Sequence, residues 1–178
     1  MKKVLLALLL VSTMAFSDGV MFRQGTNAIN AGINLNFNTY DGVRPGILAV
    51  YDRGAFWNWY SLGVEVGFYN DSRTIGDWKY SYNYVSPLVR FGFHPFGLSS
   101  LDGKVKAAAV IDPYAVIAVG PTFSSWSWEE IDGKEKKDSS TNFTWAFKPG
   151  IRWYFNSKVN FWAEGWWNSL TLGAGISF

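Results

Sequence analysis

The chain has no cysteine and, in 178 residues, a single histidine, His94. The first absence excludes disulfides and thiolate metal sites. The second leaves one side chain whose ordinary titration lies near neutral pH. Long hydrophobic runs are missing too: after residue 17 no apolar segment approaches the roughly 20 residues that a spanning helix requires. Nor does one sign of charge dominate. Sixteen Lys and Arg residues stand against fourteen Asp and Glu, and once Lys2 and Lys3 at the start are set aside the two signs are equal. A nucleic-acid partner, which favours a basic stripe, is therefore not expected. Phosphate loops, dinucleotide fingerprints and clustered metal ligands do not occur either, so no cofactor, metal or catalytic constellation is expected.

What is present begins with "MKKVLLALLLVSTMAFSDG". Two lysines, the apolar stretch Val4 to Val11 and the small pair Ala15 and Ser17 predict a secretory signal peptide over residues 1–17, cleaved after Ser17. Residues 18–178 then form one domain. It carries 14 Phe, 10 Trp, 9 Tyr and 18 Gly, too many exposed-looking aromatics for an ordinary soluble domain. Their placement explains the excess, because apolar residues recur at every second position. Ile29, Ala31, Ile33, Leu35 and Phe37 alternate with polar or small neighbours. So do Leu62 to Phe68, Val85 to Phe93, Ala115 to Phe123, Phe143 to Phe155, Val159 to Gly165 and Leu170 to Phe178. Side chains alternate between the faces of a strand, so each segment has one greasy face. The segment Ile47 to Arg53 is a strand of ambiguous register, since Leu48 and Val50 are as apolar as Ile47 and Ala49. Pro87 and Pro121 demand a bulge or a local break in the ladder.

Eight such strands are an even number, each long enough to cross a bilayer when tilted. The fold class expected is all-β, an eight-stranded antiparallel up-and-down transmembrane barrel. Paired residues on neighbouring strands must share a face, which constrains the turns. Strands seven and eight require an odd sum, satisfied by a turn at Asn168-Ser169 that sets Val159 opposite Phe178. Strands six and seven fit a three-residue loop, Asn156 to Lys158. Strands five and six require an even sum, satisfied by a loop Asp132-Gly133-Lys134 that sets Glu129 opposite Lys137 and Glu130 opposite Lys136.

The signal peptide, the alternating strands, the aromatic bands and the terminal Phe178 resemble the small bacterial outer-membrane barrels of the OmpX and OmpA-domain type. That resemblance implies an outer-membrane location, lipid as the surrounding partner, and Phe178 as part of the signal read by the barrel assembly machinery. It also places the loops Asn70 to Ser81 and Ser125 to Asn142 outside the cell. His94 to Asp112 would then be periplasmic and unusually long, and its run Lys106 to Ile111 fits a short helix or strand under the rim.

Glu65, Arg90, Lys148, Arg152 and Glu164 fall on the inward face. An eight-stranded barrel is only just wide enough for its own side chains, so these charges must pair: Glu65 with Arg90 and Arg152 with Glu164 are expected. A gated ion pathway is the alternative. His94 has no Ser two residues away and is read as a turn or rim hydrogen-bonding residue, not a base. The aromatics at Trp57, Trp59, Tyr60, Trp78, Tyr80, Tyr82, Trp126 and Trp128 are read as interfacial girdles, with ligand stacking the sharper alternative. Trp126 and Trp128 lead into "EEIDGKEKKDSS", too polar for a bilayer. Ser125 to Ser139 is thus either a protruding hairpin whose edge binds a partner by strand addition or a disordered loop. Trp126, Trp128, Glu129, Glu130, Lys136 and Lys137 are its candidate binding residues. The function expected is a monomeric, non-catalytic barrel with a filled interior that is structural or binds an extracellular protein or surface ligand. A narrow solute channel is the alternative, and a lipid-modifying enzyme is the third reading.

Overall fold

The computed structural model describes residues 22–38, 42–76, 78–98, 110–130 and 134–178. The segment read as a signal peptide lies outside them. Eight strands follow in order: β1 (Asn27–Asn38), β2 (Gly42–Gly54), β3 (Tyr60–Ile75), β4 (Trp78–Phe93), β5 (Ile111–Glu130), β6 (Glu135–Tyr154), β7 (Val159–Trp166) and β8 (Ser169–Ser177). Each is antiparallel to its predecessor, and β8 pairs back onto β1 from Ala28 opposite Ser177 to Asn36 opposite Ser169, which closes the barrel.

Alternation decides every facing. Ile33, Val64, Phe91, Ile117, Phe147, Phe161 and Leu172 are exposed on the outside, while Asn30, Glu65, Arg90, Arg152 and Glu164 are buried within. An apolar belt that runs round the whole molecule is too large for a water-facing surface. It is the lipid-facing band of a membrane barrel, in which closure satisfies the backbone. The ambiguous strand is settled by its partners. Ile47 and Ala49 face out, and Leu48, Val50 and Asp52 face in.

The interior is filled. Trp162 of β7 reaches across β8 and β1, past Gly173 and Gly32, to pack with Leu48 and Val50 of β2. Gly173 makes room for it, since a methyl group there would stand 2.5 Å from the indole nitrogen. The two prolines open the ladder without inserting a residue: β4 and β5 pair at Val85–Phe123 and again at Val89–Val119 in one register. Gly120 lies in the gap, where a methyl group would meet the Pro87 carbonyl oxygen at 2.6 Å.

Two turns differ from the parity solution by one step of two. Val159 lies opposite Ile176, not Phe178, and Trp166 opposite Ser169, so the tight turn is Trp167-Asn168. Glu129 lies opposite Glu135, and Trp128 and Ser127 lie opposite Lys136 and Lys137. The expected Glu129–Lys137 and Glu130–Lys136 pairings are thus replaced; residues 131–133 lie outside those described. The β6–β7 loop does match expectation, with the Phe155 amide donating to the Val159 carbonyl at 2.9 Å.

Strand lengths are unequal. β3 and β4 have 16 residues and β5 and β6 have 20, against 8 in β7 and 9 in β8. Only about 9–11 are needed to cross a bilayer. β3 pairs with β2 no further than Tyr69, and β6 pairs with β7 only from Gly150 to Tyr154. Beyond those points the four long strands continue as a free-standing antiparallel sheet, here called the blade. Pro149, which has no backbone N–H to offer, stands where the β6–β7 ladder stops. At the opposite end a 3-10 turn at Pro95–Gly97 follows β4. Residues 99–109, which hold most of the Lys106 run, are not among those described.

Candidate functional site

Three layers of polar side chains fill the barrel from the turn end to the blade. The middle layer centres on Arg90 of β4, fully buried. Its guanidinium donates to Asp52 of β2 at 3.1 Å, and also to Glu65 of β3 and Glu164 of β7. Lys148 of β6 takes the other oxygen of Glu65, and the Tyr114 hydroxyl donates to Glu164 at 2.9 Å. Glu65 and Arg90 therefore meet. Arg152 does not meet Glu164. It pairs with Asp52 and, at 3.5 Å, with Asp112. Asp52 and Asp112 were not singled out by sequence. Asp52 and Arg53 place one charge on each face of β2, so composition alone could not orient that strand; Arg53 ends up outward near the rim, where a long side chain reaches water.

The lowest layer gives His94, read from sequence as a turn or rim hydrogen-bonding residue, two buried partners. Its Nδ1 lies 2.9 Å from Asp112 Oδ1 and its Nε2 lies 2.9 Å from Ser61 Oγ. The distances are those of a nucleophile, base and orienting acid. The surroundings are not. Phe22 stacks on the imidazole at 4.4 Å, Tyr114 lies beyond at 5.5 Å, and all three polar residues are buried. A methyl group at Gly92 would already stand 2.1 Å from Ser61 Oγ, so an acyl group has no place to sit. The trio links β3, the end of β4 and β5 and closes the barrel floor under Phe22, over which Arg152 also lies, 4.7 Å from the ring centre. A search along the sequence for His-x-Ser could not find it, because Ser61 reaches His94 across the β3–β4 ladder, where Ser61 is opposite Gly92.

The upper layer is open. A cavity of about 330 Å³ at the mouth is lined by Asn34, Asn36, Arg44, Tyr69, Tyr84 and Thr144, among others, with Glu65 and Lys148 at its base. Above it rises the inner face of the blade. Strand register sets three rows across it: Tyr69, Tyr84, Ser124 and Ser140; Asp71, Tyr82, Trp126 and Asp138; Arg73, Tyr80, Trp128 and Lys136. Tyr80, Tyr82, Trp126 and Trp128 share the parity of the interior positions Arg90 and Thr122. They face the axis of the mouth and not the lipid side, so the girdle reading fails for them. Trp57 and Trp59, stacked at 5.4 Å in the β2–β3 turn, and Phe93 beside Trp59 do mark the opposite rim. Of the other candidate residues, Glu129 meets Lys79 at 3.9 Å and Lys137 meets Glu135 at 2.9 Å, both exposed. No cluster of three or more His, Asp and Glu that could hold a metal occurs among the described residues.

No protein-family model matches the chain, and no curated protein sequence does. Solved structures do match. Ail, the attachment invasion locus protein of Yersinia pestis, superposes with a TM-score of 0.60 at 13% identity, covering 87% of this chain and 99% of that one. The N-terminal barrel domain of Pseudomonas aeruginosa OprF gives 0.54 at 13%, covering 88% and 99%. A major outer membrane protein of Thermus thermophilus gives 0.56 at 11%, covering 86% and 99%. The likeness is one of fold, and it bears out the small eight-stranded outer-membrane barrel read from sequence.

Proposed function

We propose that this chain is a monomeric, non-catalytic protein of the bacterial outer membrane that binds a partner outside the cell through its blade. The unequal strands carry this reading. A barrel that only sealed itself would need no strand of 20 residues, yet four consecutive strands extend past their neighbours as an ordered sheet with two open edges. The longer edge is Glu135–Pro149 of β6. Above the outward apolar residues Phe143, Trp145 and Phe147, its stretch Ser139 to Asn142 is uncharged and is bounded by Lys137-Asp138, and the edge ends at Pro149. Free backbone groups on such an edge accept an added strand, while flanking charge and proline limit indiscriminate pairing. The facing of β5 is different, since β4 covers its other edge as far as Glu130. Ail, a structural neighbour, has been crystallised with the heparin analogue sucrose octasulfate, which makes surface ligands a sensible class to test.

A solute channel is the poorer reading, because the Arg90 and His94 layers and Trp162 fill the bore beneath the mouth. Phe178, outward and exposed at the rim, is proposed as the residue read by the assembly machinery. Protein in lipid nanodiscs, run against arrays of immobilised polypeptides and glycans beside a Glu129–Lys137 deletion and a Thr141→Pro edge variant, tests the binding reading. Binding that either change abolishes supports it. Binding that survives both, or steady solute-selective conductance in planar bilayers, overturns it.

A further inference from the structure

We infer that the inner face of the blade and the cavity at its foot form a binding site for a neutral oligosaccharide. The inference rests on the blade being the binding element and adds the chemistry of one of its faces. The aromatic rings of Tyr80, Tyr82, Tyr84, Trp126 and Trp128 are half-buried on the side of the mouth, and Tyr69 is buried at their foot. Tyr69 and Tyr82 are 5.9 Å apart between ring centres, Tyr80 and Trp128 6.1 Å, and Trp126 and Trp128 6.4 Å in a near-perpendicular pair. These rings of β3, β4 and β5, tilted by 56° to 88° within each pair, offer both edges and faces as a platform. Tyr and Trp pair an apolar body with a polar tip. A pyranose has the matching form, with an apolar C–H face that lies on a ring and equatorial hydroxyls at its perimeter.

The ends of the rows supply what those hydroxyls require. Each aromatic pair in the upper two rows is flanked on β3 by Asp71 or Arg73 and on β6 by Asp138 or Lys136. Carboxylates accept from hydroxyl groups and guanidinium and ammonium groups donate to them. Across the two rows Asp71 and Asp138 offset Arg73 and Lys136, and Arg73 lies 2.9 Å from Asp71, with Arg44 at 3.6 Å from the same carboxylate oxygen. Glu65 and Lys148 cancel at the base, so a polyanion finds a single cation in excess here. At the foot, the cavity of about 330 Å³ is at the small end of ligand pockets. Its wall includes the Asn34 side-chain oxygen, buried and without a hydrogen-bond partner among the described residues. Such a group is costly unless something donates to it. From Tyr84 to Tyr80 the platform extends about 13 Å along β4, the length of roughly three sugar rings.

The test uses the full mature protein in nanodiscs and titrates it with cellotriose, maltotriose, chitotriose and, as polyanionic control, sucrose octasulfate, read by tryptophan fluorescence and calorimetry. At least one neutral trisaccharide is expected to bind saturably, with affinity unchanged between 50 and about 500 mM salt, as suits a ligand that releases no counterions. Trp126→Ala and Trp128→Ala should each weaken it about tenfold, whereas Trp145→Ala, on the outward face, should leave it within about twofold; such losses correspond to one buried stacking contact. Unboiled gel mobility verifies that each variant retains its barrel. Failure of all three neutral sugars to bind, binding indifferent to Trp126 and Trp128, or salt-sensitive binding of the octasulfate alone overturns the inference. In those cases blade-dependent binding of a polypeptide would leave the broader reading intact.

Discussion

Replacing Arg90 by Met removes the guanidinium at the centre of the middle layer while retaining most of the side chain's length. Three carboxylates lose a partner at once: Asp52, Glu65 and Glu164. None is left wholly alone, since Arg152 still meets Asp52, Lys148 still meets Glu65 and Tyr114 still donates to Glu164. The middle and lower layers would nonetheless hold the four acids Asp52, Glu65, Asp112 and Glu164 against the two cations Arg152 and Lys148. Breaking one buried pair costs about 3–5 kcal/mol, and the surviving partners offset part of a larger total, so Arg90→Met should cost about 4 kcal/mol. Urea titration of protein refolded into vesicles, followed by tryptophan fluorescence, measures it. Adding Glu164→Gln removes one stranded charge and should recover about 1–2 kcal/mol, a coupling of the size seen between contacting residues. Arg90→Lys retains one charge and should fall between. A loss below about 1 kcal/mol for Arg90→Met, or strict additivity with Glu164→Gln, would refute the view that Arg90 holds the acids in place.

His94→Ala should destabilise by about 2–3 kcal/mol and Ser61→Ala by about 1 kcal/mol in the same titration, because the first strands a carboxylate's hydrogen bond and the second a neutral one. A fluorophosphonate probe should leave Ser61 unlabelled in the intact protein; labelling that disappears with His94→Ala would mean the trio is open to substrate. Phe178→Asp should impair assembly into the outer membrane, scored by unboiled gel mobility of membrane fractions, more than Ser177→Asp does. Equal effects would remove both the outward-facing and the sorting role from Phe178.

The facing of nearly every strand residue was legible in the sequence, and the reason is that facing is a matter of odd and even. A strand alternates with period two, so one apolar set per strand orients all its residues, and only Ile47 to Arg53, with apolar residues on both sides, withheld the answer. Which residues meet is a different quantity. Shifting a hairpin by two positions preserves every facing, and both mis-set turns erred by that amount: the pair sum moved from Val159 with Phe178 to Val159 with Ile176, and from Glu129 with Lys137 to Glu129 with Glu135. Charge complementarity did not decide the second turn either, because exposed pairs across a hairpin are worth only a few tenths of a kcal/mol. Such shifts accumulate around a closed ring. Arg152 and Glu164 flank one short loop, yet their contacts depend on how far β6 is displaced against β2 through the whole barrel, and there Arg152 reaches Asp52, 100 positions earlier in the chain. The same displacement brings Ser61, His94 and Asp112 together at the floor and lifts four strands clear of the other four at the mouth. Parity is local to each strand, whereas partnership belongs to the closed barrel, and the polar layers and the blade are both consequences of closure.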